Sequence, residues 1–248
     1  MRLDKMSMGT RSEVKKFIKS GRVFVNGAPA SGPEQKVTEE DDVELDGEKV
    51  SYERYVYYML NKPQGVVSAT KDNTCRTVLS LITDSSKKDI FPVGRLDKDT
   101  EGLLLITDDG QLAHQLLSPK KHVDKTYFAV TEGKVVPEDI EKIREGVDIG
   151  DEELTLPGKL EILKTWEVQM SSASVKSTES EAKWRSEILL TIHEGRFHQV
   201  KRMMEALGKT VIYLKRMSMG PLVLPEDFPK GQCRELTKEE LAALKEGR

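Results

Sequence analysis

The sequence predicts an α+β chain in two parts: a small helix-plus-β module at residues 1–50, a linker at 51–54, and a larger mixed domain at 55–248. Three observations carry this. With 248 residues the chain can form one large domain or two smaller ones, at ~150 residues each. The N-terminal stretch combines one amphipathic helix with short apolar runs that end in Asn-Gly and Asp-Gly, the turn signals of antiparallel strands. From Tyr55 onward, strand-like runs alternate with helix signals around a continuous apolar run, Leu103-Leu104-Leu105-Ile106, that reads as a buried strand.

Taken in order, Thr10-Arg11-Ser12-Glu13 is a capping box, and the helix it opens runs to Gly21, a residue suited to a left-handed cap. Val14, Phe17 and Ile18 form its apolar face, with Arg11, Lys15 and Lys19 stacked beside it and Arg22 extending the row. Val23-Phe24-Val25 before Asn26-Gly27, and Val43-Glu44-Leu45 before Asp46-Gly47, are strands with turns. In the second part, Val56–Leu60 is a strand followed by a turn at residues 61–65, and Thr74 caps a short helix reaching Ile82. Asp108 or Asp109 caps a helix that ends near Ser118-Pro119. Tyr127–Val130 is a strand, and Pro137–Gly146 is a helix with Pro in its first turn and Gly after its last. Leu160–Val168 and Ile188–Ile192 form a hairpin whose connection, Ser171–Glu181, is rich in Ser and charge and reads as a loop. Helices follow at Phe197–Leu207 and after a second capping box, Thr237-Lys238-Glu239-Glu240.

Composition excludes several classes. At 37% hydrophobic and 33% charged residues, the chain is too apolar for general disorder and too polar for a membrane protein. No apolar run nears the ~18 residues of a spanning helix. The charged start, Met1-Arg2-Leu3-Asp4-Lys5, lacks the apolar stretch of a secretory signal, so the expected location is cytoplasmic. Cys75 and Cys233 make neither a disulfide framework nor a zinc site, and His193 and His198 are not at a ligand spacing, so no metal is expected. The net charge of -3 hides strong patterning. Residues 1–30 carry seven basic and two acidic groups, residues 31–54 three and nine, and residues 191–216 six and two. Two basic patches on an acidic chain point to a polyanion partner.

Two constellations carry chemistry. Gly94-Arg95-Leu96-Asp97-Lys98-Asp99-Thr100-Glu101-Gly102 is a charged loop tied to the buried strand, a rigid platform for an aspartate. In Glu194-Gly195-Arg196-Phe197-His198-Gln199-Val200-Lys201-Arg202-Met203-Met204, the residues Val200, Met203, Met204 and Leu207 form a buried helix face. Lys201 lies ~100° from Val200 at the edge of that face, where a half-buried lysine can hold an aspartate ionised or simply snorkel to water. Tyr127, after Lys125-Thr126, is a strand tyrosine that matters functionally only if a flat ligand stacks on it.

These residues resemble the RNA pseudouridine synthases. The likeness rests on Gly94-Arg95-Leu96-Asp97 followed by residues 99–110, Asp-Thr-Glu-Gly-Leu-Leu-Leu-Ile-Thr-Asp-Asp-Gly. Leu60-Asn61-Lys62-Pro63-Gln64-Gly65, Lys125-Thr126-Tyr127 and residues 194–203 agree in order, and the first module is similar to the S4 RNA-binding domain. The resemblance implies a mainly antiparallel catalytic sheet and a cofactor-free isomerase that detaches uracil from ribose, turns it and rejoins it through carbon. It gives Asp97 the role of catalytic aspartate, Lys201 that of its basic partner, and Tyr127 that of the tyrosine against the target base. Arg95 fills the space left by the flipped base. Arg11, Lys15, Lys19 and Arg22, with Arg196, His198, Gln199 and Arg202, are the expected RNA contacts. Residues 198–201 and 125–127 look most like the ribosomal small-subunit branch. The expected partner is therefore ribosomal RNA, free or in a partly assembled small-subunit particle, bound by a monomer away from any membrane.

Other readings of the same residues are a large-subunit synthase, a non-catalytic RNA-binding or assembly factor, and a two-carboxylate glycosidase. The last predicts stacking aromatics, yet aromatics are only 6% of the chain and do not cluster near residues 94–102.

Overall fold

The computed structural model describes residues 3, 8, 11–38, 41–50, 55–82, 89–118, 121–168 and 183–246. The Thr10 cap, the 51–54 linker and the 171–181 loop lie outside them. The chain divides into two compact units, Met1–Tyr55 and Val56–Arg248.

In the first unit, helix α1 (Arg11–Lys19) buries Val14 and Ile18, with Phe17 packed alongside, against Val23, Val25, Val37 and Val43. The sheet has the order β2-β1-β3-β4, from Val23–Val25 (β1), Ala28–Pro29 (β2), Val43–Leu45 (β3) and Glu48–Lys49 (β4). Both Asn26-Gly27 and Asp46-Gly47 have two successive positive φ angles, as a two-residue hairpin turn of the primed kind requires.

The second unit is built on one nine-stranded sheet. Its main path is β13 (Cys233–Glu235), β5 (Tyr57–Lys62), β7 (Glu101–Thr107), β11 (Thr210–Met219), β8 (Lys125–Glu132), β10 (Lys183–Ile192) and β9 (Lys159–Val168). Two short strands, β6 (Phe91–Pro92) and β12 (Leu222–Val223), pair with β7 and β11. Among the described residues every ladder is antiparallel except β7–β11, which is parallel and only two residue pairs long. That short join is a seam between two half-sheets. At it, Gly102 has φ +104°, and a Cβ there would lie 2.2 Å from the Arg216 carbonyl oxygen, so only glycine lets β11 approach β7. The Arg216 guanidinium ties the same seam by donating from Nε to Leu103 O at 2.7 Å.

Strand β7 is buried along its whole length, which explains its unbroken apolar run. Strand β8 alternates, sending Tyr127 and Ala129 into the core with Leu190, Leu214, Val200, Met203 and Met204. Helices α2 (Gly110–Leu117), α3 (Pro137–Glu145), α4 (Gln199–Ala206) and α5 (Lys238–Glu246) complete the unit. Of the two aspartates, Asp109 caps α2, accepting from the amides of Gln111 and Leu112. Asp108 instead accepts from the Val56 amide at 2.8 Å. The Thr237–Glu240 box at α5 forms in both directions.

Three expectations are corrected. The turn after β5 starts at Pro63, because Asn61 and Lys62 still pair with Leu103 and Gly102. Thr74 caps no helix: Asp72 captures the amides of Thr74 and Cys75, and only a 3₁₀ turn, Val78–Leu81, follows. Strand β11, with Lys215 and Arg216 in its middle, was not expected at all.

Candidate active site

The loop between β6 and β7 presents Asp97, and its backbone is pinned from four sides. Lys62 is wholly buried, and its ammonium donates to the carbonyls of Pro63 (3.1 Å), Asp97 (2.9 Å) and Thr100 (2.8 Å). Ser68 Oγ donates to Leu96 O at 2.9 Å and accepts from the Leu96 amide at 3.0 Å. The Gly65 amide donates to Lys98 O, and the Thr100 amide to Asp97 O. Burial pushes the Lys62 amine down to about 8, against the pull of Asp99, Asp97 and Glu101. Lys62 carried no expected role, because a lysine beside a turn reads as surface. Its place beneath Asp97 is visible only in three dimensions.

The Asp97 side chain stays partly open, at 27% exposure. Its Oδ2 lies 3.2 Å from Lys201 Nζ, and its Oδ1 lies 3.3 Å from His198 Nε2. Lys201 also bonds both oxygens of Asp99, at 2.7 and 2.9 Å. Burial works against the Lys201 cation, but its bonds to Asp99 and Asp97 outweigh that cost, and its pKa is raised. Burial likewise opposes the Asp99 carboxylate, and the hydrogen bond from Lys201 overrides it and lowers the pKa. Glu101 is engaged elsewhere, by Tyr213 Oη at 2.6 Å and Lys230 at 2.7 Å.

The cluster spans the seam. Asp97 precedes β7 in one half-sheet, whereas His198 and Lys201 belong to the turn and helix that precede β11 in the other. Tyr127 sits on β8 opposite Arg216 and Leu190, with its ring in the core. Among the described residues it makes no hydrogen bond or ring contact with the Asp97 group. Nearby in the sheet, Lys125 and Arg216 are buried cations. Burial and the Arg216 charge lower Lys125 to about 8, and Arg216 Nη2 has no hydrogen-bond partner among the described residues.

The expected RNA contacts divide. Arg95 is exposed and makes no hydrogen bond or ion pair among the described residues, and the same holds for Lys15 and Lys19. The side chain of Arg11 lies outside them. Arg22 pairs with Asp46 through both oxygens and lies over the Phe17 ring at 4.6 Å. Arg196, Gln199 and Arg202 are turned inward. Arg196 bonds Glu194 Oε2 (3.0 Å), Glu153 O (2.7 Å) and Leu154 O (2.8 Å). Gln199 bonds Glu194 Oε1 and the Arg196 amide, both at 2.9 Å. Arg202 bonds Ile149 O and Asp151 Oδ1 at 2.5 Å, and Phe197 O at 3.2 Å. These three brace the turn that carries His198. Residues 149–154 engage Arg196 and Arg202, and Glu194 engages Gln199, which no sequence spacing shows. Among the described residues no cluster of His, Cys, Asp and Glu could hold a metal ion, and no helix is long and apolar enough to cross a membrane.

A mixed, mainly antiparallel sheet with a pinned aspartate loop, preceded by a small helix-plus-β module, defines a class of RNA-modifying enzyme. Residues 56–206 match the RNA pseudouridylate synthase family, and residues 1–43 match the S4 domain. The chain belongs to the RNA pseudouridine synthase family and is an isomerase that acts on RNA. It is 45% identical, over 99% of both chains, to a Bacillus subtilis protein named as an uncharacterized RNA pseudouridine synthase, YtzG. It is 38% identical to the ribosomal small subunit pseudouridine synthase A of Vibrio cholerae, over 98% of this chain and 99% of that one. To the ribosomal large subunit pseudouridine synthase B of Bacillus subtilis it is 39% identical, over 96% and 91%. A crystal structure of a pseudouridylate synthase superposes with a TM-score of 0.65 at 35% identity, covering 98% of this chain and 99% of that one.

Proposed function

We propose that this chain converts one uridine of small-subunit (16S) ribosomal RNA to pseudouridine, with Asp97 as the carboxylate that acts on a flipped-out nucleotide. The observation that carries the reading is the Asp97 carboxylate, pinned through its backbone and faced by two cationic or protonatable groups, Lys201 at 3.2 Å and His198 at 3.3 Å. A carboxylate fixed in this way is prepared for its reaction before substrate arrives. Lys201 is its counter-charge. Tyr127 contributes a flat ring beneath the target base, and Arg95, without a partner among the described residues, enters the gap that the flipped base leaves in its strand. No cofactor enters this scheme. The first module adds phosphate contacts through Arg11, Lys15 and Lys19. We place the enzyme in the cytoplasm as a monomer, acting on ribosomal RNA free or in a partly assembled particle.

The small-subunit assignment draws on the likeness of Lys125-Thr126-Tyr127 and residues 198–201 to that branch, and on relatives that bear its name. A large-subunit substrate is the second reading, favoured by a relative at 39% identity that is named for it. Mapping pseudouridine in ribosomal RNA from cells with and without the gene decides between them. Loss of one small-subunit site is the expected result, and loss of a large-subunit site instead would overturn it. Complementation with Asp97→Asn should leave the site unmodified while the protein still binds RNA. A site restored by Asp97→Asn would remove the carboxylate from the reaction.

A further inference from the structure

Phe197 is a large apolar ring placed in water, at 74% exposure the most open of the large hydrophobic side chains among the described residues. One face of it is covered. The ring lies on the imidazole of His198 with centroids 3.8 Å apart and planes 18° from parallel. The imidazole in turn reaches Asp97 Oδ1 at 3.3 Å through Nε2. The result is a short stack that begins at the carboxylate and ends in an open aromatic face.

The geometry that makes this stack is strained and held. His198 adopts φ +49° and ψ 32°, a left-handed conformation that a non-glycine residue takes at a cost. The turn is fixed by Arg202 Nη1 on Phe197 O (3.2 Å), by the Arg202 amide on His198 O (3.0 Å), and by the Arg196 amide on Gln199 Oε1 (2.9 Å). Behind these stands the bracing of Arg196 and Arg202 on residues 149–154. The sequence thus spends three polar side chains on keeping an exposed phenylalanine flat against a histidine. The core gains nothing from this, since the ring is outside it.

We propose that Phe197, backed by His198, is a stacking platform for an unpaired nucleobase that neighbours the target uridine in the substrate RNA. The inference rests on the reading of Asp97 as the site of reaction. A nucleobase is the occupant that fits. A single open ring is far too small an apolar patch to seat a protein, whose interfaces need hundreds of Å², but one aromatic face is the unit by which single-stranded RNA is held. Arg95 and Lys98 on the Asp97 loop are exposed cations open to a phosphate backbone, and the neighbouring Asp99 carboxylate is paired with Lys201. Because every base has a π-face, the platform selects an unstacked, single-stranded neighbour rather than a particular letter. With the flipped uridine at Asp97 and its neighbour on Phe197, the enzyme would hold two adjacent bases apart.

The test compares Phe197→Ala, Phe197→Leu and Phe197→Trp on a ribosomal RNA fragment that the wild-type enzyme modifies, with 2-aminopurine placed in turn at each nucleotide flanking the target. Wild-type enzyme should quench the fluorophore at one flanking position. Phe197→Ala and Phe197→Leu should abolish that quenching and raise KM by roughly 5- to 100-fold, and Phe197→Trp should restore both. The ring is exposed, so these variants lose little of the core, and matched melting curves verify that. Wild-type KM in Phe197→Ala, or recovery with Leu as full as with Trp, would refute stacking while leaving the enzyme's reaction intact. A wild-type protein that modifies no ribosomal RNA fragment would refute the functional reading and the platform together.

Discussion

Replacing Lys62 by Met tests how the Asp97 loop is held. Methionine has similar length and flexibility but no donor. The substitution removes an ammonium from the carbonyls of Pro63, Asp97 and Thr100. Charge-assisted bonds contribute ~1.5–3 kcal/mol each, so three of them set an upper range of ~5–9 kcal/mol. Two effects reduce it. Holding the cation there, net of the pull of the nearby carboxylates, already costs ~3 kcal/mol, as the fall of the amine from 10.5 to about 8 implies. Asp97 O also keeps one partner, the Thr100 amide. The expected loss of stability near pH 7 is therefore ~2–4 kcal/mol, measured as a shift of the urea midpoint. Turnover should fall by ~100-fold, because small displacements of a reacting group are costly. The pH dependence gives an independent check. Between about pH 8 and 10.5 the folded amine is neutral while the unfolded one still binds a proton, so wild-type stability rises with pH there and the variant's does not. The gap between them should widen across that window and stay level below it. Equal midpoints with a level gap would show that Lys62 is not the buried clamp of this loop.

Other variants probe the parts of the site separately. Lys201→Met should lower turnover by ~100-fold, because Asp97 loses the cation that faces its carboxylate at 3.2 Å. Near-wild-type turnover would detach Lys201 from Asp97. Arg202→Met should cost ~1–3 kcal/mol of stability by freeing the Ile149 and Phe197 carbonyls, and leave the salt dependence of RNA binding unchanged. A slope reduced by about one would mean instead that Arg202 grips phosphate. Changing Arg11, Lys15 and Lys19 together to Ala should flatten that slope by up to about two, measured by titrations across a range of salt. A constant slope would take the α1 face off the RNA.

Much of this was legible because burial and pattern coincided. The all-apolar run in β7 could only be a central strand, and the Asn-Gly and Asp-Gly turns marked their hairpins through the backbone angles they tolerate. Asp97 and Lys201 were readable as partners only through family likeness, since the seam that joins them is two residue pairs long and leaves no periodic trace. Strand β11 was hidden by Lys215-Arg216, charges that break the apolar alternation. The fold accommodates Arg216 by giving its Nε a carbonyl to bind. Thr74 and Arg196 show the opposite failure. Each had the right chemistry for its expected role, but a neighbour, Asp72 in one case and the 149–154 segment in the other, took the hydrogen bonds first.

Strand β13 has a consequence for how the chain is made. It covers the outer edge of β5, a strand with every residue buried, and the Asn61 side chain secures the approach by donating to Phe228 O at 2.6 Å. Ribosomes deliver β5 long before residues 233–235 exist. Until then a nascent chain carries an apolar strand with one row of amides and carbonyls unpaired, an invitation to another chain. Truncation before Cys233 should therefore yield inclusion bodies rather than a soluble, weaker enzyme, although among the described residues the lost segment makes no hydrogen bond or ion pair with Asp97, His198 or Lys201.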